Sequence, residues 1–414
     1  MNKLLTRLLS FEQLTYALIF LFPIAGMLVR GWLTNIYNGL ALLGLFYLSR
    51  RHQPLCKQER VYLLICTAYV AVYILSALVN GWGKMQTHEL GTELRFWLVI
   101  PIYLLVREQP KSWRWLLYGS LIGIIFIFIQ SYHEVFINGL STSWGVYSKN
   151  IIGPFVVLMG FWVLFLWGKN KSIYLKLSIM IAFILAILAA ALSGSRGAYV
   201  GFVVMFIAWL LLYFQARWIS LLALLITMLV FVVYWVSPIV NNGVDNAVAN
   251  FEKYMINHDK AHSKILDSST AIHLEMWRAA KYFFPDHPIL GVGPGNYQIA
   301  AKKYAQEGKV NPAIAKHGHP HNSFLEALYS KGVIGLISLL LLLYYPFYVM
   351  FKNRNQSRMS AGLGMLHIAG LSAFSMFDAS PILFNNYTSI LLLGIAVFFS
   401  HHLNQIRQAQ AVIG

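Results

Sequence analysis

Apolar residues run through this chain in long blocks rather than in alternation. Twelve such stretches recur from end to end, near 14–29, 31–49, 61–79, 94–106, 115–130, 151–168, 174–192, 197–214, 218–236, 334–351, 360–377 and 386–403. As helices, most are long enough to cross about 30 Å of hydrocarbon. They must be helical there, because each unpaired backbone group in lipid costs several kcal/mol. The pattern predicts an all-α polytopic membrane protein with about twelve transmembrane helices. The first stretch follows a short basic start and could pass for a signal peptide, but the many later spans favour an uncleaved first helix. One hydrophilic insertion, 237–333, interrupts the series. It divides the chain into spans one to nine (1–236), a large loop, and spans ten to twelve with a tail (334–414). There is no internal repeat and no low-complexity tract.

Lysine and arginine orient these spans. With the N-terminus in the cytoplasm, the short loops on that side hold 17 basic residues: Lys3, Arg7, Arg50, Arg51, Lys57, Arg60, Arg107, Lys111, Arg114, Lys169, Lys171, Lys176, Arg217, Lys352, Arg354, Arg358 and Arg407. The short loops on the other side hold 4, namely Arg30, Lys84, Lys149 and Arg196. Both termini are therefore expected in the cytoplasm and the large loop outside. Composition agrees: 58% of residues are hydrophobic and only 11% charged, against about a quarter in soluble domains. The net charge of +17 needs no nucleic acid, since basic residues at the cytoplasmic face meet anionic lipid headgroups. The large loop carries ten basic and eight acidic residues and so is not a polycationic arm. Two cysteines, Cys56 and Cys66, are too few for a disulfide framework.

Candidate chemistry concentrates on the outer side. His321 and Asn322 open HNSFLEALYSKGVIG, in which nine residues separate Asn322 from Gly332, with Gly335 following. Ser323 and Glu326 read as a capping box at the start of a helix running into the tenth span. The positive end of that helix favours the neutral imidazole that a general base needs; the alternative is a surface histidine in a polar loop. His317, His319 and His321 alternate in HGHPH, a pattern that can bind zinc, but the flanking stretch offers no carboxylate to support a metal. Arg196 interrupts two apolar runs in SGSRGAYVGF, with no acid near it in sequence. It is either a ligand for an anion or a snorkelling arginine at a helix end. Arg278 lies on an amphipathic helix expected over 270–284, capped by Ser269 or Thr270, with Leu274, Trp277, Lys281 and Phe284 on one stripe. It is either a second cation for an anionic ligand or an ion-pair partner of Glu275. Arg95 opens the fourth span, either bridged to Glu89 or Glu93 or adding to an anion site. HPILGVGPGNY (287–297) reads as a rigid Gly/Pro turn before a helix capped by Asn296. It is not a dinucleotide fingerprint, since no parallel-sheet pattern surrounds it.

Three absences narrow the class. There is no P-loop, there is no DxD or ExD pair in the first two outer loops, and no acid sits at mid-membrane, where a proton-coupled transporter usually needs one.

Three segments, SGSRGAYVGF, HPILGVGPGNY and HNSFLEALYSKGVIG, taken in order together with twelve spans and one large loop before the tenth, resemble the O-antigen ligase and polymerase family. The resemblance implies a GT-C-like glycosyltransferase of the bacterial inner membrane with its active site facing the periplasm. It would transfer a glycan from undecaprenyl diphosphate to a sugar hydroxyl of lipid A–core, with inversion, without a cofactor or metal. His321 would be the base, Arg196 and Arg278 the diphosphate clamp, and Arg95 and Asn322 further substrate contacts. Arginine suits a phosphate clamp because its planar fork matches two phosphate oxygens. The alternatives are an O-antigen polymerase, a protein O-oligosaccharyltransferase of the same superfamily, and a transporter of lipid-linked oligosaccharide.

Overall fold

The structure, a computed structural model, describes residues 11–48, 53–167, 172–213, 238–257 and 269–413, with a few positions between 224 and 236. Among them every element is helical. The first nine are α1 (Phe11–Leu28), α2 (Trp32–Tyr47), α3 (Lys57–Val79), α4 (Lys84–Glu93), α5 (Arg95–Arg107), α6 (Ser112–Tyr132), α7 (Lys149–Val163), α8 (Ile173–Ser193) and α9 (Arg196–Tyr213). The large loop contributes α10 (Pro238–Asn257), α11 (Ser269–Arg278), α12 (Ala280–Asp286) and α13 (Tyr297–Gln306). The chain closes with α14 (Ser323–Lys352), α15 (Arg358–Ser375), α16 (Ser380–Leu383) and α17 (Asn385–Ile413). Eleven of the twelve expected spans fall on these helices; the ninth, 218–236, lies largely outside the described residues. Among the described residues, eight helices are long and apolar enough to cross a membrane. Of the others, α2 has 16 residues and α5 has 13, while α15 is rich in glycine and serine.

The bundle has two chemically different ends. Glu59 at the start of α3 is fully buried and paired with Arg107 at 2.9 Å and with Arg407. Lys111, Arg114, Arg354 and Arg358 sit at helix ends on this same side. At the other end of α3, Ser76 meets the large loop, with its hydroxyl 2.7 Å from the Leu290 carbonyl. The core between the ends is aromatic, with Tyr37, Tyr62, Tyr103, Trp162 and Phe398 essentially inaccessible. Outward-facing Phe46 and Leu64 are 72% and 67% exposed, an apolar surface suited to lipid contact rather than water.

The large loop has a core of its own. Phe283 stacks on Tyr329 at 4.5 Å and lies 4.9 Å from Tyr304, with Met276 and Ala279 buried beside them. The expected single helix over 270–284 is two helices that meet at Ala279. Its buried stripe is Met276, Ala279 and Phe283, whereas Leu274 and Trp277 are only half-buried and Phe284 is exposed. The loop core outcompetes the simple amphipathic stripe because Tyr329 of α14 must be covered.

α14 breaks at Gly332, where φ is 65° and ψ −163°. The break frees backbone groups that a helix would pair internally, and the 288–293 turn takes them up. Val292 and Gly293 donate to the carbonyls of Tyr329 and Ser330 at 2.8 and 3.1 Å, and Val333 donates to the Pro288 carbonyl at 2.9 Å. A Cβ at Gly332 would strike the Ile289 carbonyl. The two glycine-bearing motifs of the sequence are therefore the two halves of one joint. Lys331, beside the break, is buried and donates to Glu93 at 2.8 Å and to the Tyr69 hydroxyl at 2.9 Å, fastening α14 to α4 and α3.

Candidate active site

His321 stands immediately before α14 in a left-handed conformation, φ 48°. It is the one non-glycine residue among those described with positive φ, a strain of order 1–3 kcal/mol that recurs at functional sites. Asn322, not Ser323, caps the helix: its side-chain oxygen accepts from the backbone of Phe324 at 2.9 Å and of Leu325 at 3.0 Å. Its amide donates to the Met376 carbonyl at 3.2 Å. Asn322 is thus buried with both ends engaged and holds backbone in place. The expected capping box does not form. The Ser323 hydroxyl donates to the Asp378 carbonyl at 3.0 Å, and Glu326 turns into the buried interior.

The strand of histidines folds onto itself. His319 accepts from the His321 backbone at 3.3 Å, and Nδ1 of His317 lies 3.4 Å from Nε2 of His321. A carboxylate, which the flanking sequence lacks, arrives from the end of α15: Asp378 Oδ1 is 3.9 Å from Nδ1 of His321. That is an ion-pair distance, longer than a direct hydrogen bond. Burial raises the Asp378 pKa, but His321 and His319 outweigh it and the group stays below the usual carboxylate range. Burial, reinforced by His321, pushes His319 down to about 4. The metal-capable set is therefore His319, His321 and Asp378, whose ligand atoms lie within 4.8 Å of one another, rather than the three alternating histidines.

One turn of α11 links this cluster to Arg196. The His273 ring stacks on His321 with centroids 4.8 Å apart and planes at 16°. Three residues earlier, on the same helix face, the Thr270 hydroxyl accepts from Arg196 Nη1 at 2.5 Å. Burial, together with His321 and Arg196, drives His273 down to about 3, so its ring is neutral at pH 7. Among the described residues Arg196 has no carboxylate partner, and Thr270 lies within the first turn of α11 rather than capping it. An imidazole beside a carboxylate, linked through one turn of α11 to an arginine without a carboxylate partner among the described residues, suits proton abstraction next to an anionic group.

A family model described as O-antigen ligase matches residues 181–340. Over these residues the chain is similar to the O-antigen ligase family. The match takes in Arg196, His273, Arg278, His321 and the Gly332 joint. The chain is also 25% identical over 137 residues to an uncharacterized protein of Haemophilus influenzae; this covers 32% of the chain and 34% of that protein, about a third of each.

The remaining candidate residues are placed differently from one another. Arg278 forms a bidentate ion pair with Glu275, at 2.7 and 2.6 Å. It lies about 140° around α11 from His273 at about 100° per residue, so this conformation does not bring it to the histidines. Burial raises the Glu275 pKa, but Arg278, the Asn311 N–H and the Tyr254 hydroxyl together hold the carboxyl below its usual range. Arg95 is buried and bridged to neither Glu89 nor Glu93; it donates to Asn385 and Asn38, each at 3.1 Å. Glu93 serves Lys331 instead. Asn296 sits at the start of α13 without capping it, its amide donating to the Val292 carbonyl at 2.9 Å. Asp378, His273 and Thr270 were not singled out from sequence as parts of this site. The one available signal for Asp378 was its rarity, as one of few acids bordering the spans.

Proposed function

We propose that the chain is an O-antigen ligase that moves a glycan from undecaprenyl diphosphate to a sugar hydroxyl of lipid A–core, at the periplasmic face of the bacterial inner membrane. The observation that carries this reading is the first turn of α11, which touches Arg196 through Thr270 and His321 through His273. Base and phosphate-binding cation thereby adjoin the same turn of one helix. In the proposed step the acceptor hydroxyl gives its proton to His321, and its oxygen bonds to the anomeric carbon. The bond from that carbon to the diphosphate breaks on the opposite face, so the linkage inverts. With Nδ1 turned to Asp378, Nε2 is the accepting nitrogen once the acceptor hydroxyl displaces His317, 3.4 Å from it, and the Asp378 carboxylate stabilises the imidazolium that forms. Arg196 meets the negative charge developing on the leaving diphosphate. Arg278 is a second clamp only if it exchanges Glu275 for phosphate. No metal is required by this scheme, and the helical membrane bundle with its outer loop is of the GT-C kind.

A deletion strain complemented with the parent or His321→Ala tests the reading. Ligase function requires core lipid without polymeric O-antigen, and accumulation of lipid-linked polymer, in the deletion and in His321→Ala. A single repeat unit on the core would instead mean a polymerase, and normal lipopolysaccharide with an unglycosylated protein would mean a protein transferase.

A further inference from the structure

Arg95, at the outer end of α5, organises a second polar cluster with α2 and the start of α17. The residue is 4% exposed. Its Nε donates to the side-chain oxygen of Asn385 and its Nη1 to that of Asn38, each at 3.1 Å. An arginine can only donate, so the atom it meets on each amide is oxygen, and both side-chain nitrogens face away from it. The Thr92 hydroxyl donates to the same Asn385 oxygen at 2.6 Å, which fixes that amide twice. Among the described residues nothing accepts from the Asn38 or Asn385 side-chain nitrogens, and no carboxylate reaches Arg95. Asn385 is exposed and Asn38 half-buried. The surface thus offers N–H donors backed by a buried positive charge. It suits an oxyanion, whose hydrogen bonds to such donors are charge-assisted, and it offers nothing to a cation.

The cluster borders the histidines. Phe384, the residue before Asn385, sets its ring against His319 with centroids 6.0 Å apart, and the His319 ring lies 4.4 Å from that of His321. His321 therefore has two ring neighbours that lead to two different cations: His273 towards Arg196, and His319 towards Asn385 and Arg95.

We propose that Asn38 and Asn385, held by Arg95, form a subsite for an acidic group, carboxylate or phosphate, on the acceptor glycan. The inference rests on the transferase reading above. The donor's diphosphate is assigned to Arg196, on the His273 side, so the side reached through His319 falls to the acceptor. The two amides touch the acidic group. Arg95 acts behind them, fixing their orientation and polarising their N–H bonds. The subsite selects an acidic acceptor and sets where its hydroxyl meets His321.

Two arms test this with the full-length protein in nanodiscs. In the first, Asn385→Asp and Asn38→Asp keep the oxygen that accepts from Arg95 and replace the outward N–H donors by oxygen. KM for the acceptor should rise at least about tenfold in each, the scale of one hydrogen bond to a charged group, while KM for the donor and kcat at saturating acceptor stay within about twofold. An unchanged acceptor KM, or an equal rise in donor KM, overturns the proposal. The second arm needs no variant: calorimetry measures binding of de-acylated core oligosaccharide to the parent, with its phosphates removed or its carboxylates reduced. Affinity should fall at least about tenfold for one of the two modified glycans, and which one it is identifies the acidic group. Equal affinity for all three glycans overturns the subsite. Discrimination among the glycans in a parent that transfers nothing to the core would refute the ligase reading and leave the subsite standing.

Discussion

Asp378→Asn isolates the charge that the structure places behind His321. Asparagine keeps the oxygen that accepts from the Ser380 N–H at 3.1 Å and the backbone carbonyl that accepts from Ser323, so the loop should hold its shape. What is lost is the attraction between a carboxylate and the imidazolium formed in the transition state. At 3.9 Å that attraction is about 1 kcal/mol in bulk water and about 4 kcal/mol at an effective dielectric constant of about 20. With side chains 24% and 12% exposed, the site lies between these limits, and turnover should fall about 30- to 100-fold. Donor binding runs through the diphosphate and lipid, so KM for the donor should change only a few-fold. The assay is transfer from purified lipid-linked glycan to lipid A–core, resolving kcat from KM, with thermal unfolding of both proteins as a check on folding. A kcat within twofold of the parent, in a protein of unchanged melting temperature, would refute the assignment of Asp378 as the group that supports the base.

Arg196→Ala should abolish transfer and Arg196→Lys restore it only in part, because the charge survives but the fork does not; for Arg278, activity retained in the alanine variant would leave it as the ion-pair partner of Glu275. If the cluster of His319, His321 and Asp378 works without metal, purified enzyme keeps its rate in excess chelator, and loss of rate restored by zinc would show the opposite. Both termini should be cytoplasmic and the large loop periplasmic, so reporter fusions near Asn257 and after Arg407 should report opposite sides. His273 and His319, held at about 3 and about 4, bind protons more readily unfolded than folded below pH about 6.5; stability should therefore fall as pH drops from 6.5 to 5, by about 2 kcal/mol per histidine, and His273→Gln should flatten the slope measured by thermal unfolding between those values.

The helices were legible because lipid permits so few alternatives: a long apolar block has to be a helix, and α1, α3, α8 and α9 begin and end within a few residues of the expected spans. Arg196 and His321 were legible because each breaks its surroundings, one a charge between apolar runs and the other the start of a spaced motif. Asp378 and His273 were not, since a partner brought by another helix leaves no trace in local spacing. The cap of α14 was misplaced by one residue because Asn322 and Ser323 are both good caps, and the choice between them depended on Ser323 finding Asp378 across the bundle. Arg95 kept clear of its two neighbouring acids for a similar reason: Lys331 had already claimed Glu93.

The joint at Gly332 also turns a sequence interval into a length. Nine helical residues, Ser323 to Lys331, lie between the Asn322 cap and the break at Gly332 and make about two and a half turns at about 100° per residue, which puts the histidine ahead of the cap and the docked turn in fixed angular register. Adding or removing a single residue between them would swing His321 by about 100° and shift it by about 1.5 Å along the axis, away from Asp378 and His273, while leaving every individual side chain intact. The interval therefore works as a ruler, and point substitutions that keep the helix should be tolerated within it far better than any change in its count.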